Sequence, residues 1–280
     1  MDDRRITKTL LQMFENQLRE DEKSDATIKK YMHDIHCFAE YLSDNEISKP
    51  QVMAYKLALE EKYTISSANS MLAALNKFFQ FAGWTDCCVK RFRVQKQTYC
   101  PEEKELTKEE YLRLIKTAQK QGDERLALMI QTICGTGIRV SELQYITVEA
   151  VQKGEAVVSC KAKTRTVFII SALRKKLLPY IKKNKIKSGS VFVTKTGKPV
   201  NRCNIWRSMK ELCSKAAVAP GKVFPHNLRH LFARTFYCIE KDIAKLADIL
   251  GHTNVNTTRI YIVTTGAEHR RKLEKMRLIT

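Results

Sequence analysis

Apolar residues in the first 85 positions recur three and four residues apart, which is the spacing of one face of an α-helix. We predict a helix over Ser24–Leu42 and two more that open at Ser48 and Ser66. Gly83 is expected to end the last of these, and a further helix is expected before Asp21. About four helices in this length predict a small helical bundle.

The helical pattern stops near residue 88. Residues 89–105 are polar or basic and include Pro101, so we interpret them as a linker. Thr107 and Glu110 then occupy the N-cap and N3 positions of a capping box, ahead of a new apolar face. The sequence therefore predicts a helical domain over 1–88, a linker over 89–105 and a second domain over 106–280.

The second domain combines helical and strand patterns. The apolar run Leu126–Cys134 predicts a buried helix ended by Gly135 and Gly137, and the chain after residue 200 is largely helical in pattern. Short β-branched runs predict strands, with the basic segment 161–166 between the first two. The fold class is therefore mainly α with a small β-sheet. The predicted strands are Ala156–Ser159 and Val167–Ile170, with Val191–Val193 as a candidate third.

The chain carries 50 lysines and arginines against 30 aspartates and glutamates, a formal net charge of +20. The excess is uneven: residues 1–100 contain 15 basic and 14 acidic residues, whereas residues 151–200 contain 13 basic residues and one acidic residue. A polyanionic partner explains this concentration better than general solubility does. It also predicts that binding to phosphates depends strongly on salt.

Other compositional signals favour a soluble, cytoplasmic protein. No apolar run reaches 18 residues, and the N-terminus lacks an apolar signal region, so no membrane association is expected. The nine cysteines are an odd number without a C-x-x-C pair, which favours reduced thiols. His33, His36 and Cys37 lack a second ligand pair at zinc-like spacing, so a helix surface is the favoured interpretation there.

The segment from His226 to His230 carries the first chemical signal. His226 and Arg229 are three residues apart, so a helix would place them on one face. Two histidines four apart also occur in zinc-binding H-E-x-x-H helices, but here the glutamate is missing and a cation lies beside the pair. A phosphate site is favoured, with a purely structural helix as the alternative.

Three more short motifs accompany this segment: G-x-R-x-S-E-L at 137–143, L-G-H at 250–252 and T-T-x-x-Y at 257–261. Each is weak evidence alone. Together with H-x-L-R-H, and in this order, they resemble the tyrosine recombinase (phage integrase) family. The resemblance spans Thr107 to the C-terminus, and the helical N-terminal part is similar, less specifically, to the core-binding domain of that family.

The resemblance implies an N-terminal helical core-binding bundle and an α+β catalytic domain that together clamp double-stranded DNA. It implies that Tyr261 attacks phosphorus to form a 3′-phosphotyrosyl link. Arg139 and Arg229 would hold the scissile phosphate, because a guanidinium group donates paired hydrogen bonds and keeps its charge. His226 is the candidate acid/base group, and His252 would donate a hydrogen bond to the phosphate.

The family also uses a lysine on a β-hairpin as general acid for the leaving 5′-oxygen. Lys161 is the candidate here, although the glycines that often surround that lysine are absent and Lys163 is an alternative. Glu142 is expected to orient the site, and His230 is expected to pack behind it. The implied chemistry needs no metal or nucleotide cofactor.

Members of the family work as tetramers on two DNA sites. The tail 266–280 is a candidate for docking on a neighbouring protomer, with folding onto its own domain as the alternative. We therefore predict a site-specific recombinase that breaks and rejoins DNA. Two alternatives stay open: a type IB topoisomerase, which relaxes supercoils without partner strands, and a non-catalytic DNA-binding protein on the same fold.

Overall fold

The computed structural model describes residues 4–43, 46–93, 102–160, 163–194, 196–261 and 266–276. The chain divides into two compact units, Met1–Lys96 and Gln97–Thr280. Within the described ranges, every helix is too short or too polar to cross a lipid bilayer.

In the first unit, side-chain hydroxyls set the starts of the helices. Thr7, Ser24 and Thr64 each accept a hydrogen bond from a backbone N–H of the first turn, a group that the helix itself leaves unpaired. The last helix begins at Ile65 rather than at Ser66, because Thr64 supplies its cap. The helices of the described part are α1 (Lys8–Glu20), α2 (Asp25–Leu42), α3 (Lys49–Lys62) and α4 (Ile65–Phe81).

Aromatic side chains fill the centre of this bundle. Phe14 of α1 and Phe78 of α4 are fully buried, and their rings meet edge to face with centroids 5.3 Å apart. The segment after α4 is held on the same bundle. The side chain of Asn76 accepts a hydrogen bond from the Val89 N–H (2.9 Å) and donates one to the Val89 carbonyl (2.8 Å).

The second unit is mainly helical, as predicted. Its first helix begins at the expected capping box: Thr107 Oγ1 accepts from the Glu110 N–H (3.2 Å), and the Glu110 carboxylate accepts from the Thr107 N–H (2.9 Å). The described helices of this unit are α5 (Lys108–Lys120), α6 (Glu124–Thr136), α7 (Val148–Lys153), α8 (Ser171–Lys183), α9 (Arg202–Ala216), α10 (Pro225–Glu240), α11 (Ile243–Leu250), α12 (Val255–Arg259) and α13 (Gly266–Lys275).

A two-stranded antiparallel sheet lies between α7 and α8 in the chain. It consists of β1 (Glu155–Cys160) and β2 (Lys163–Phe168). The second strand begins earlier than predicted, so most of the basic segment 161–166 belongs to it. The predicted third strand, Val191–Val193, is wrong: this segment makes one isolated bridge, from Val193 to Pro199, and its first two side chains are buried. Here the apolar run reflects burial in the core and not strand pairing.

The core of the second unit is organised around α6. The apolar run predicted the helix, and eight consecutive residues, 126–133, are buried. Gly135 lies inside the helix, and Gly137 ends it. Helix α10 packs across α6, and this crossing brings the motif at 137–143 next to the motif at 226–230.

Candidate active site

Arg139 lies three positions after Thr136, the last residue of α6, and is the N-cap of a short 3₁₀-helix, Val140–Tyr145. Gly137 turns the chain in a left-handed conformation against the ring of Phe232 on α10, where any larger side chain would collide with the ring. The close approach of the two helices therefore fixes the position of the turn. It places Arg139 in a cleft that His226 and Arg229 of α10 also line.

Glu142 holds Arg139 from behind. Its buried carboxylate accepts hydrogen bonds from the Arg139 backbone N–H (2.8 Å) and Nη1 (2.9 Å). It accepts a third from Nη2 of Arg165 in β2 (2.6 Å). Burial by itself raises the pKa of Glu142, but the Arg139 N–H and the charge of Arg165 outweigh burial and hold it below its usual value. The ionised carboxylate therefore fixes two guanidinium groups.

Arg165 is a residue that the sequence motifs do not single out. Besides its ion pair with Glu142, it donates from Nη1 to the Ile249 carbonyl at the end of α11 (2.8 Å). A basic hairpin segment is ordinarily read as a solvated surface, which conceals this role. The available signal is strand alternation, since Arg165 shares a face of β2 with buried Val167.

Arg229 of α10 is almost completely buried, with 1% of the residue's surface exposed. Its guanidinium donates from Nη1 to the Gly137 carbonyl and from Nη2 to the Leu250 carbonyl (2.6 Å). Carbonyl groups at the C-terminal ends of α6 and α11 lack partners within their own helices and carry the negative end of the helix dipole, so they stabilise this buried charge. The Nε–H has no hydrogen-bond partner among the described residues.

The turn after α11 brings His252 to Arg229. His252 Nε2 lies 2.9 Å from Arg229 Nη2, and His252 Nδ1 lies 2.8 Å from the hydroxyl oxygen of Thr258. The Gly251 that precedes His252 has a left-handed backbone and ends α11. Two motifs that are 23 residues apart in the sequence thus meet at one hydrogen-bonded cluster.

The ring of Tyr261 lies among three imidazole rings. Its centroid is 5.3 Å from that of His226, 4.3 Å from that of His230 and 5.3 Å from that of His252. The Arg229 Cζ atom lies 5.7 Å from the same ring centre. Only 6% of Tyr261 is exposed, so the neighbouring helices hold the side chain within the cluster.

Burial and nearby positive charge keep these imidazoles neutral. Burial, followed by the charges of Arg229 and Arg139, lowers the pKa of His226 below its ordinary value. Burial is also the main cause that lowers the pKa of His230 and of His252 to about 4. The pKa of Arg229 falls to about 10, so this guanidinium keeps its charge at neutral pH. The cluster therefore combines cationic donors with imidazoles that can accept a proton.

The structure brings five of the six predicted site residues together. Lys161 lies outside the described residues. The described part of the hairpin nearest to Lys161 is the backbone pair formed by Cys160 and Lys163. The choice between Lys161 and Lys163 as general acid therefore stays a prediction from the sequence. The five residues are Arg139, His226, Arg229, His252 and Tyr261.

A model described as the phage integrase family matches residues 104–267, which is more than half of the chain. The chain belongs to the phage integrase family. A second model, described as the N-terminal SAM-like domain of phage integrases, matches residues 11–86. The family resemblance that the four motifs indicated is confirmed.

Relatives of this family member carry the name tyrosine recombinase. Tyrosine recombinase XerA of Pyrococcus furiosus is 28% identical over 287 residues, covering 100% of this chain and 98% of that protein. Tyrosine recombinase XerH of Campylobacter jejuni is 34% identical over 148 residues, covering 51% of this chain and 42% of that protein.

Solved structures of recombinases share the fold. A crystal structure of XerA recombinase, 25% identical, superposes with a TM-score of 0.55 and covers 98% of this chain and 100% of that one. A λ integrase dimer bound to a COC′ core site, 17% identical, superposes with a TM-score of 0.76 and covers 93% of this chain and 96% of that one. At the lower identity, the second likeness concerns the fold alone.

Proposed function

We propose that this integrase-family protein cuts and rejoins DNA at specific sites through a covalent phosphotyrosyl intermediate, with Tyr261 as the nucleophile. The observation that carries the proposal is the position of the Tyr261 ring, 5.7 Å from Arg229 Cζ and 5.3 Å from the rings of both His226 and His252. A phosphate held by Arg229 would therefore lie beside a phenol and two neutral imidazoles.

Arg139 and Arg229 are the proposed ligands of the scissile phosphate. Arg139 is tethered through Glu142 but lines the cleft, whereas Arg229 is buried with its Nε–H unpaired among the described residues. Two fixed guanidinium groups can stabilise the charge that develops on the non-bridging oxygens during phosphoryl transfer. Because both are held before substrate binds, little reorganisation is needed during the reaction.

Cleavage then requires one proton to leave and another to arrive. A phenol is a weak nucleophile until a base takes its proton, and neutral His226 is the proposed base. The Tyr261 oxygen bonds to phosphorus as the bond to the 5′-oxygen breaks. The leaving 5′-oxygen takes a proton from the general acid, for which Lys161 is the candidate and Lys163 the alternative. Attack by a 5′-hydroxyl reverses these changes and restores the phosphodiester.

Double-stranded DNA is the proposed partner, bound by copies of the chain that assemble as a tetramer on two sites. One structural relative is a λ integrase tetramer bound to a Holliday junction, and another is XerH bound to its difH substrate. The tail 266–280, whose described part contains α13 (Gly266–Lys275), is the segment proposed to contact a neighbouring copy. A cytoplasmic location is proposed because the substrate is DNA.

A nicked suicide DNA substrate tests the proposal, because loss of the short fragment beyond the nick prevents rejoining. We expect the wild-type chain to form a covalent protein–DNA adduct and Tyr261→Phe to form none. Tyr237→Phe is the matched control, since Tyr237 packs against the same small apolar cluster as Tyr261. An adduct with Tyr261→Phe would reject the nucleophile. Supercoil relaxation without recombinant product on paired sites would favour a topoisomerase instead.

A further inference from the structure

Thr258 connects the nucleophile segment to the histidine of the L-G-H motif. It lies in α12, is fully buried, and its carbonyl accepts a hydrogen bond from the Tyr261 N–H (2.9 Å). Its hydroxyl oxygen lies 2.8 Å from His252 Nδ1. One buried residue therefore touches both the backbone of Tyr261 and the side chain of His252.

The contact between His252 and Arg229 determines which ring nitrogen of His252 carries the proton. His252 Nε2 faces Arg229 Nη2 at 2.9 Å, and a guanidinium group can only donate. Nε2 therefore accepts and bears no hydrogen. Because the imidazole is neutral at neutral pH, the hydrogen is on Nδ1 and is donated to the Thr258 hydroxyl.

In this tautomer His252 cannot donate a hydrogen bond from Nε2 to a phosphate, because the proton is on Nδ1. Donation requires the other neutral tautomer, with the proton on Nε2. When a phosphate oxygen takes the Arg229 Nη2–H, Nε2 is released from its role as acceptor. Donation from Nε2 then requires Nδ1 to become the acceptor. A hydroxyl group meets this need, since it can rotate from accepting to donating without a change in position.

We propose that Thr258 is a positioning residue that holds the His252 ring and serves both of its neutral tautomers, accepting from Nδ1–H in the free protein and donating to Nδ1 when His252 donates to phosphate. The proposal rests on the proposed function for its second half. Its first half concerns the protein without DNA and can be tested separately.

The free-protein tautomer is measurable by NMR of the full chain labelled with ¹⁵N-histidine. The chain has six histidines, so the His252 signals are assigned as those lost in His252→Gln. We expect a protonated Nδ1 and an unprotonated Nε2 in the wild type at neutral pH. A protonated Nε2 in the wild type would overturn the proposal without any need for a Thr258 variant.

The functional half is tested by single-turnover cleavage of the suicide substrate. Thr258→Val keeps the shape of the side chain but removes the hydroxyl, and Thr258→Ser keeps the hydroxyl. We expect Thr258→Val to slow cleavage about 10- to 100-fold, by analogy with the loss found when the hydrogen-bond partner of a metal-binding histidine is removed. Thr258→Ser should stay within a few-fold of wild type.

A double mutant separates positioning of His252 from a general structural role. In a His252→Gln background, Thr258→Val should cause little further loss, because its effect passes through the imidazole. Losses that multiply in the double mutant, or wild-type cleavage by Thr258→Val, would overturn the proposal. If the wild type itself formed no adduct, the proposed function would fail, while the tautomer measurement would still decide the first half.

Discussion

Replacing Gly251 with alanine tests whether the turn before His252 is built around Arg165. Gly251 has a backbone φ of +66°, and a Cβ atom there would lie 2.5 Å from Arg165 Cδ and 2.7 Å from its Nε. Arg165 has little freedom to retreat, since it is bonded to both Glu142 and the Ile249 carbonyl. The methyl group should therefore displace a side chain that joins β2 to α11.

Two contributions set the size of the effect. A left-handed backbone at a residue with a Cβ costs about 1–2 kcal/mol. Moving Arg165 also weakens hydrogen bonds to charged groups, which contribute about 1.5–3 kcal/mol each when buried. Gly251→Ala should therefore lower the free energy of unfolding by about 2.5–5 kcal/mol if one such bond is lost.

Gly122→Ala is the matched control, because Gly122 has a similar φ of +74° just beyond α5 and no atom lies within 4 Å of its Cβ position. Equilibrium urea denaturation should show only the backbone cost, about 1–2 kcal/mol, for this variant. In an Arg165→Ala background, the cost of Gly251→Ala should fall to the same value. Equal losses for the two single glycine variants would refute the steric argument.

Three other predictions follow from the site. Glu142→Gln should slow cleavage of the suicide substrate and lower the free energy of unfolding by about 3–5 kcal/mol, because Arg139 and Arg165 lose a buried counter-charge. An unchanged cleavage rate and an unchanged urea midpoint would contradict this prediction. Lowering the pH from 6.5 towards 4 should destabilise the fold, because His230 and His252 bind protons in this range only when unfolded; urea midpoints that stay constant with pH would oppose it. DNA affinity, measured by fluorescence anisotropy, should fall steeply between about 50 and 200 mM salt, and a flat response would argue against phosphate contacts.

The pH prediction has a definite sign. The folded-state pKa of His230 and His252 is about 4, below the ordinary value of 6.5. The contribution of these two histidines to the free energy of unfolding is therefore complete above pH 6.5 and is lost as the pH falls towards 4. Glu142 acts in the same direction at lower pH, since its depressed pKa means that acid removes a stabilising charge.

The sequence by itself determined the features that depend on near neighbours. Caps such as Thr107 with Glu110 form between residues three apart, so a short pattern is enough to predict them. The order of four motifs was also sufficient to indicate the family, and with it the residues Arg139, His226 and Tyr261. These are properties of residue type and spacing, which the chain carries before it folds.

Only the tertiary structure decided how the motifs meet. Arg229 is held by carbonyls at the ends of α6 and α11, and Arg165 reaches from β2 to Glu142 and α11. The proposed role of Thr258 in positioning His252 depends on a side-chain contact that the T-T-x-x-Y spacing does not reveal. Such contacts depend on how helices cross and on which carbonyls are left unpaired at their ends, and both are consequences of packing between segments far apart in the sequence.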